Sequence, residues 1–290
     1  MEVTEKLLPL DRDKIPHLLD VLKSLLPDTA VAYHWLLTQE KWSEQCKEIK
    51  LIVFCLNGNF NGGTMVGLVD NLAVPDKIFG TLYAKEENME QLKNAILNSE
   101  LIDWCRFKHF TSILNRMVPF VREIFAEKGV KYLEKHLHLL VMSQEKAANI
   151  DLPDLSEEIR VGPLNEHYLD IVCNNWPHYD FQYRPVILKM LQLNHSTGVF
   201  VRNAEGEEIL ASMVLQTEYG GVGILQTLPN YQRKGYAEIA TLSLTKILGR
   251  QQKIMVHAYV LFQNDKAERL FEKCGFDVIA HVCKMPTIGF

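Results

Sequence analysis

The chain has no apolar run long enough to cross a bilayer. The densest stretch, residues 137–142, is interrupted by His138 and flanked by Lys135, far short of the roughly 18 residues a spanning helix needs. It also has no paired cysteine spacing: Cys46, Cys55, Cys105, Cys173, Cys274 and Cys283 are scattered without a C-x-x-C. That excludes a zinc knuckle and a disulfide framework and points to a reducing compartment. Nor is there an excess of positive charge; the formal net charge is -5. A surface built to neutralise phosphodiester backbones is therefore not expected, and small molecules are the default partners rather than nucleic acid or membrane. The first residues carry Glu2 and Glu5 and no arginine-rich amphipathic stretch, so no import signal is read and a cytoplasmic protein is expected. His136 and His138 share a strand face, but no third ligand is spaced to join them, and no metal site is expected.

What is present is 290 residues, 47% hydrophobic and 23% charged, ordinary for folded protein and enough for two domains. Residues 149–158 are polar and contain Pro153. They read as a linker between a domain at 1–148 and another at 159–290. In the second half, a strand at 159–161 leads to a helix capped by Asn165 and ending near Trp176-Pro177, then to a helix from about Arg184. Strands at 198–202, 209–217 and 222–228 follow, then a helix at 235–248 with Ile239, Leu242, Leu244 and Ile247 as its apolar stripe and Gly249 as its stop. A strand at 254–262, a short helix at 265–273 and a strand at 276–284 complete a β-α-α-β-β-β-α-β-α-β order. The first half echoes the opening of this pattern, with a helix expected over 110–128.

Between the strand at 222–228 and its helix stands Gln232-Arg233-Lys234-Gly235-Tyr236-Ala237. A strand, a glycine turn and a helix N-terminus together aim unpaired backbone N–H groups at one point, where the helix dipole also favours negative charge. Either this is an anion site suited to pyrophosphate or it is an ordinary turn. The first half has no such turn; Glu86, Glu87 and Glu90 stand at the corresponding place and would repel pyrophosphate.

A second motif decides between the two readings: Asn264, Ala267, Leu270-Phe271 and Gly275-Phe276. With both motifs in order, residues 155–285 resemble the GCN5-related N-acetyltransferase superfamily. Residues 172–176, 198–200 and 226–233, including Thr227-Leu228-Pro229-Asn230-Tyr231, are similar to its glycine N-acyltransferase-like branch. The resemblance implies an α+β fold, a central mixed and mostly antiparallel sheet flanked by helices, in two tandem domains of which the first has lost its cofactor site. It implies acyl-coenzyme A as co-substrate and transfer of the acyl group to the amine of a small molecule or an amino acid such as glycine. By family analogy the mitochondrial matrix is the alternative compartment. Acyl chain length and oligomeric state are not implied.

Carried onto this sequence, the backbone from Arg233 to Ala237 through Lys234, Gly235 and Tyr236 would hold the pyrophosphate, with Gln232 beside it. Leu228 would pair with the pantetheine arm and, at a bulge, offer its N–H to the thioester oxyanion. Asn264 would bind the same arm, cap the following helix, or do both. Two family features are missing. Phe271 stands where a tyrosine often protonates the leaving thiolate, and Gly220-Gly221 stand where the branch carries a glutamate base. Glu218, His257 and Tyr259 are the candidates to fill the gap, each with packing or solvation as its competing role. His257 and Tyr259 share a strand face by alternation. Trp176 and Arg184 are the candidate acceptor contacts, Arg184 either receiving a carboxylate or standing on a helix surface. Two other functions compete with catalysis on a small amine: a catalytically weakened acyl-coenzyme A-binding module, and a protein N-acetyltransferase.

Overall fold

A computed structural model describes residues 5–70, 77–203 and 205–288. The chain forms two compact units, residues 1–137 with 281–290, and residues 138–280. The division therefore falls within residues 137–138 and 280–281 rather than in the polar stretch 149–158. Each unit takes one strand segment from the other half of the sequence.

In the first unit, β1 (Leu7–Pro9) leads to α1 (Ile15–Ser24) and α2 (Ala30–Gln45), then to β2 (Lys50–Leu56), β3 (Met65–Asp70) and β4 (Ile78–Tyr83). Then come α3 (Met89–Leu97), β5 (Phe107–Leu114), α4 (Val118–Glu127) and the start of β6 (Lys135–Met142). β1 to β4 pair antiparallel in sequence order, β4 pairs parallel with β5, and β5 pairs antiparallel with the C-terminal end of β12 (Asp277–Pro286). The helix expected over 110–128 begins only at Val118. Residues 107–114 are a strand whose Phe107 and Phe110 are almost fully buried. Their rings meet each other at 4.7 Å, and Phe110 stacks on Phe125 of α4 at 6.0 Å. Burial of these aromatics on a pleated surface outweighs the helical reading of the segment.

The second unit contains the rest of β6, α5 (Gln144–Ala148), β7 (Ile159–Gly162), α6 (Leu169–Asn175) and α7 (Arg184–Leu193). β8 (Ser196–Arg202), β9 (Glu208–Gln216), β10 (Val222–Thr227), α8 (Tyr236–Ile247), β11 (Val256–Leu261), α9 (Asp265–Lys273) and the start of β12 follow. Its strands lie in the order β6-β11-β10-β9-β8-β7. Pairing is antiparallel from β7 to β10 and parallel between β10 and β11. The α+β order read from the sequence is present, with the sheet mixed and mostly antiparallel as expected.

Two details of α8 differ from the sequence reading. Of the expected stripe only Leu244 is buried; the inward face is Ala240, Thr241, Leu244 and Thr245. The threonines tolerate burial because their hydroxyls donate one turn back, Thr241 to the Ala237 carbonyl at 2.8 Å and Thr245 to the Thr241 carbonyl at 2.7 Å. Gly249 does not stop the helix in a left-handed conformation. A wider turn, Leu248–Gln252, continues it to Lys253, whose φ of 54° makes the left-handed end. A Cβ at Gly249 would lie 2.6 Å from the Ala148 backbone nitrogen, so this glycine lets α5 approach closely.

Candidate active site

The site begins where β10 leaves β11. The two strands pair in parallel at Val222 and Ala258. Beyond that point β10 stays with β9, and its register shifts between Gly223 and Gln226. At the shift Ile224 has φ 50°, a left-handed conformation that costs a β-branched residue about 1–2 kcal/mol. The bulge therefore lies at Ile224 and Leu225, between Gly223 and Gln226, not after Leu228 as the resemblance implied.

This relocation changes which backbone donors face the gap. The Leu228 N–H donates to the Ala211 carbonyl at 2.9 Å, so Leu228 does not supply the oxyanion donor or the strand-like pairing expected of it. In an antiparallel ladder successive residues turn their peptide groups to opposite sides. With Leu228 bonded towards β9, Thr227 turns its peptide group towards the side that β11 has vacated. Sequence reasoning missed Thr227 because its contribution is backbone geometry. The only trace in the sequence is the Thr-Leu-Pro run that ends the strand.

At the end of β10 a cleft of about 530 Å³ opens, lined by Thr227, Tyr231, Gln232, Arg233, Gly235 and Tyr236 together with Lys266 and Lys273 of α9. Arg233 and Gly235 have φ of 61° and 83°, and a Cβ at Gly235 would meet no atom within 4 Å. Gly235 is the N-cap of α8 and contributes no side-chain hydrogen bond, so the first-turn N–H groups of the helix open into the cleft without a capping partner. The Gln232 side chain closes the turn on itself, its Nε2 donating to the Thr227 carbonyl at 3.3 Å. Arg233 and Ala237 line the cleft, but Lys234 does not; its ammonium lies 5.5 Å from the centre of the Tyr231 ring. Glu238, the one acid in the first turn of α8, is held by Lys273 at 2.5 Å. Asn264 is the N-cap of α9, its Oδ1 accepting from the Ala267 N–H at 3.2 Å. In the first unit the matching helix, α3, follows Glu86 and Glu87 and carries Glu90 in its first turn.

A second constellation lies at the start of β10. Glu218, in the turn between β9 and β10, is only 3% exposed and accepts a short hydrogen bond from the Tyr183 hydroxyl. It is a buried carboxylate rather than a solvated turn residue. Burial, reinforced by the Glu218 charge and hydrogen bond, holds the Tyr183 phenol well above its ordinary value; burial and Glu218 do the same to Tyr219. His257 is fully buried on β11, its ring 5.2 Å from that of Tyr259, so the shared face expected for this pair is present. The Tyr219 ring lies 4.9 Å from Tyr259 and 6.1 Å from His257. A Cβ at Gly221 would lie 2.7 Å from His257 Nε2, and one at Gly223 would lie 3.3 Å from the Tyr219 hydroxyl. The two glycines make room for these side chains. Trp176 packs 5.7 Å from the Tyr183 ring and so joins the group. Arg184 does not join it, since its guanidinium pairs with Asp170 at 2.6 Å. Phe271 is buried and meets Phe276 edge to face at 5.2 Å, a packing role with no proton to give.

In the first unit, Glu134, His136 and Cys283 bring three possible metal-ligand atoms within 4.8 Å of one another. Arg122 grips both Glu134 oxygens at 2.7 Å, and burial pushes the Cys283 thiol up to about 11. A neighbouring guanidinium and a thiol that resists ionisation do not suit a cation. No helix among the described residues is long and apolar enough to cross a membrane.

Comparison with known proteins places this geometry in a wider setting. Residues 197–285 match the model of the FR47-like protein family. Among curated protein sequences none matches this chain significantly. A Drosophila protein of known crystal structure is similar over 98% of this chain and 99% of its own, with a TM-score of 0.83 and 21% identity. A tandem GNAT protein from the clavulanic acid biosynthesis pathway covers 99% of both chains at a TM-score of 0.54 and 12% identity. A putative acetyltransferase from Pyrococcus horikoshii covers 100% of this chain and 91% of its own at 0.54 and 10%. At these identities the likeness is one of fold, and the fold is that of two GNAT-like domains in tandem.

Proposed function

We propose that the second unit is an acyl-coenzyme A-dependent N-acyltransferase that moves an acyl group to the amine of a small molecule, a class that includes amino acids such as glycine. The observation that carries this reading is the uncapped N-terminus of α8 opening into a cleft beside a strand whose edge has been released by a bulge. The pyrophosphate fits the turn: the N–H groups from Arg233 to Ala237 would receive it, with Arg233, Lys266 and Lys273 supplying positive charge around the cleft. An extended, amide-bearing pantetheine arm fits the freed edge at Thr227, pairing with it as an added strand would.

The thioester supplies an activated carbonyl and a thiolate leaving group. The amine nitrogen forms the new C–N bond to the carbonyl carbon as the C–S bond breaks; one amine proton leaves for a base and the sulfur takes up a proton. This chain's part is to orient and to move protons. The Thr227 N–H would face the developing oxyanion, a type of donor whose removal elsewhere costs about 2.7–4 kcal/mol. Glu218 and His257 are the groups able to accept the amine proton, and Tyr259 and Tyr219 are the phenols able to supply one to sulfur. A second reading, an acyl-coenzyme A-binding module with little turnover, is favoured by Phe271, which leaves α9 without the usual proton donor.

Thiol release from acetyl-, butyryl- and benzoyl-coenzyme A, followed with a panel of amines and amino acids, tests the reading alongside calorimetric binding of coenzyme A. Binding with turnover is expected. Binding without turnover on any acceptor would establish the second reading, and absence of binding would overturn both.

A further inference from the structure

The acyl-transfer reading leaves the acceptor open, and the group around Glu218 narrows it. We infer that the acceptor is a small amine, cationic at neutral pH and carrying no carboxylate, received by Glu218 within a wall formed by Trp176, Tyr183, Tyr219 and Tyr259. This inference rests on the proposed function above.

Three observations carry it. Glu218 is a carboxylate almost wholly removed from solvent, fixed by the Tyr183 hydroxyl. A charge held there acts through protein rather than water, so it attracts an ammonium and repels a carboxylate far more strongly than a surface glutamate would. Two aromatic pairs start beside it: Tyr183, which bonds the carboxylate, meets Trp176 at 5.7 Å, and Tyr219, next in sequence, meets Tyr259 at 4.9 Å. Ring faces favour a cation through their quadrupole and offer apolar area to the rest of a small amine. The third observation concerns the cation that would have served a carboxylate. Arg184 directly follows Tyr183 in sequence, yet it pairs with Asp170, and its side chain is 43% exposed. Its fork is committed to a partner on α6.

An α-amino acid brings its carboxylate within a few bonds of the amine that must reach the thioester. At Glu218 that arrangement sets like charges together, whereas the decarboxylated amine meets one opposite charge and apolar rings. The sites for acyl donor and acceptor then divide by charge: the cleft at α8 is cationic at Arg233, Lys266 and Lys273, and the acceptor end is anionic.

The test uses the full chain and matched acceptor pairs that differ only by the carboxylate: phenethylamine against phenylalanine, tryptamine against tryptophan, and ethylamine against alanine. The corresponding amino-acid amides are controls that remove the charge and keep the size. With acetyl-coenzyme A as donor, kcat/KM is expected to be at least 10²-fold higher for each amine than for its amino acid, with the amides close to the amines. Glu218→Gln should lower amine turnover by tenfold or more and collapse the amine-to-amino-acid ratio towards unity while coenzyme A affinity is retained. Should that variant fail to fold, Trp176→Leu on the half-exposed side of the wall should raise amine KM several-fold without changing coenzyme A affinity. Amino acids turned over as well as or better than their amines would overturn the inference and leave the acyl-transfer reading standing. Absence of thiol release with every acceptor would overturn the acyl-transfer reading and this inference with it.

Discussion

Gly235 offers a clean perturbation of the cleft, because its conformation and its surroundings can be held fixed while one charge is changed. Its φ is 83° and a Cβ there meets nothing within 4 Å, so space does not restrict the substitution. Conformation does: most residues resist the left-handed region, but Asn and Asp enter it at modest cost. Gly235→Asn and Gly235→Asp therefore carry the same backbone cost, about 1 kcal/mol against glycine, and nearly the same shape. They differ by one negative charge at the mouth of the α8 N-terminus. A unit charge about 4 Å from another contributes about 4 kcal/mol at an effective dielectric near 20. The turn is exposed and screened by salt, which brings the effect down to roughly 2–3 kcal/mol, or about 10² in Kd. Calorimetric titration with coenzyme A should show the Asn variant weakened several-fold and the Asp variant about 10²-fold weaker again, the gap narrowing as salt is raised. Equal affinity of the two variants, at equal thermal stability, would refute the placing of a polyanion at this turn.

Lys273→Ala removes the partner that neutralises Glu238; coenzyme A affinity should fall several-fold, and adding Glu238→Gln should restore most of it in the same titration. Tyr183→Phe deletes the hydrogen bond donated to the Glu218 carboxylate. A carboxylate that loses a donor is protonated more easily, so the acidic limb of the kcat/KM profile should move to higher pH, and an unmoved limb would remove Glu218 from the proton path. Gly221→Ala places a methyl 2.7 Å from His257 Nε2 and 3.0 Å from the His257 carbonyl oxygen. Overpacking of this kind costs about 1–3 kcal/mol, seen as a lower urea midpoint, with acyl transfer impaired beyond the stability loss. In the first unit, burial drives the His34 imidazole down from 6.5 to about 3. Its folded form stays neutral while the unfolded chain takes up a proton, so stability is full above about pH 6.5 and falls as pH drops towards 3, by about 1.4 kcal/mol per pH unit in that window. Denaturation of His34→Gln across this range should show a slope smaller by one proton.

The parts of the cleft that were legible in sequence are those whose chemistry is contiguous. Residues 227–237 lie in one run, and a glycine at φ 83° opening a helix is written by the residue itself. In Val222-Gly223-Ile224-Leu225 the one local sign of a bulge is Gly223, a glycine inside a strand, and it does not tell which residue takes the positive φ. A β-branched isoleucine is among the last residues expected at positive φ, and only the pairing of β10 with β9 on one side and its parting from β11 on the other force it there. The assignment of the oxyanion donor failed for the same reason, since a shift of one residue turns each peptide group to the opposite side of the strand. Gly249 shows a related limit. It ends the apolar pattern as a helix stop would, while its actual neighbour is the Ala147–Ala148 backbone about a hundred residues earlier, a packing contact that no local pattern encodes. There Gln144 donates to the Gly249 carbonyl at 3.0 Å and Arg250 donates to that of Ala148 at 2.6 Å.

The groups proposed to handle protons are harder to read because they come from three separate places: Tyr183 before α7, Glu218 and Tyr219 in the turn before β10, and His257 and Tyr259 on β11. The sequence displays Gly220-Gly221 as a loss, a strand start without its acid. In the structure Gly221 is what admits the imidazole of His257, and Gly223 leaves room for the Thr217 methyl, which would lie 2.7 Å from a Cβ there, and for the Tyr219 hydroxyl at 3.3 Å. The carboxylate has moved three residues earlier, into the turn, and gained a phenol that holds it. In the proposed site a turn-borne carboxylate, with rings from the turn, from β11 and from the segment before α7, takes the place of a strand-borne base and a helix-borne tyrosine. This exchange moves negative charge to the acceptor end without placing it beside the phosphate-binding turn. It separates the charge that would draw in an amine from the positive charge that would hold the acyl donor, and both must be in place before a neutral amine nitrogen meets a thioester carbon.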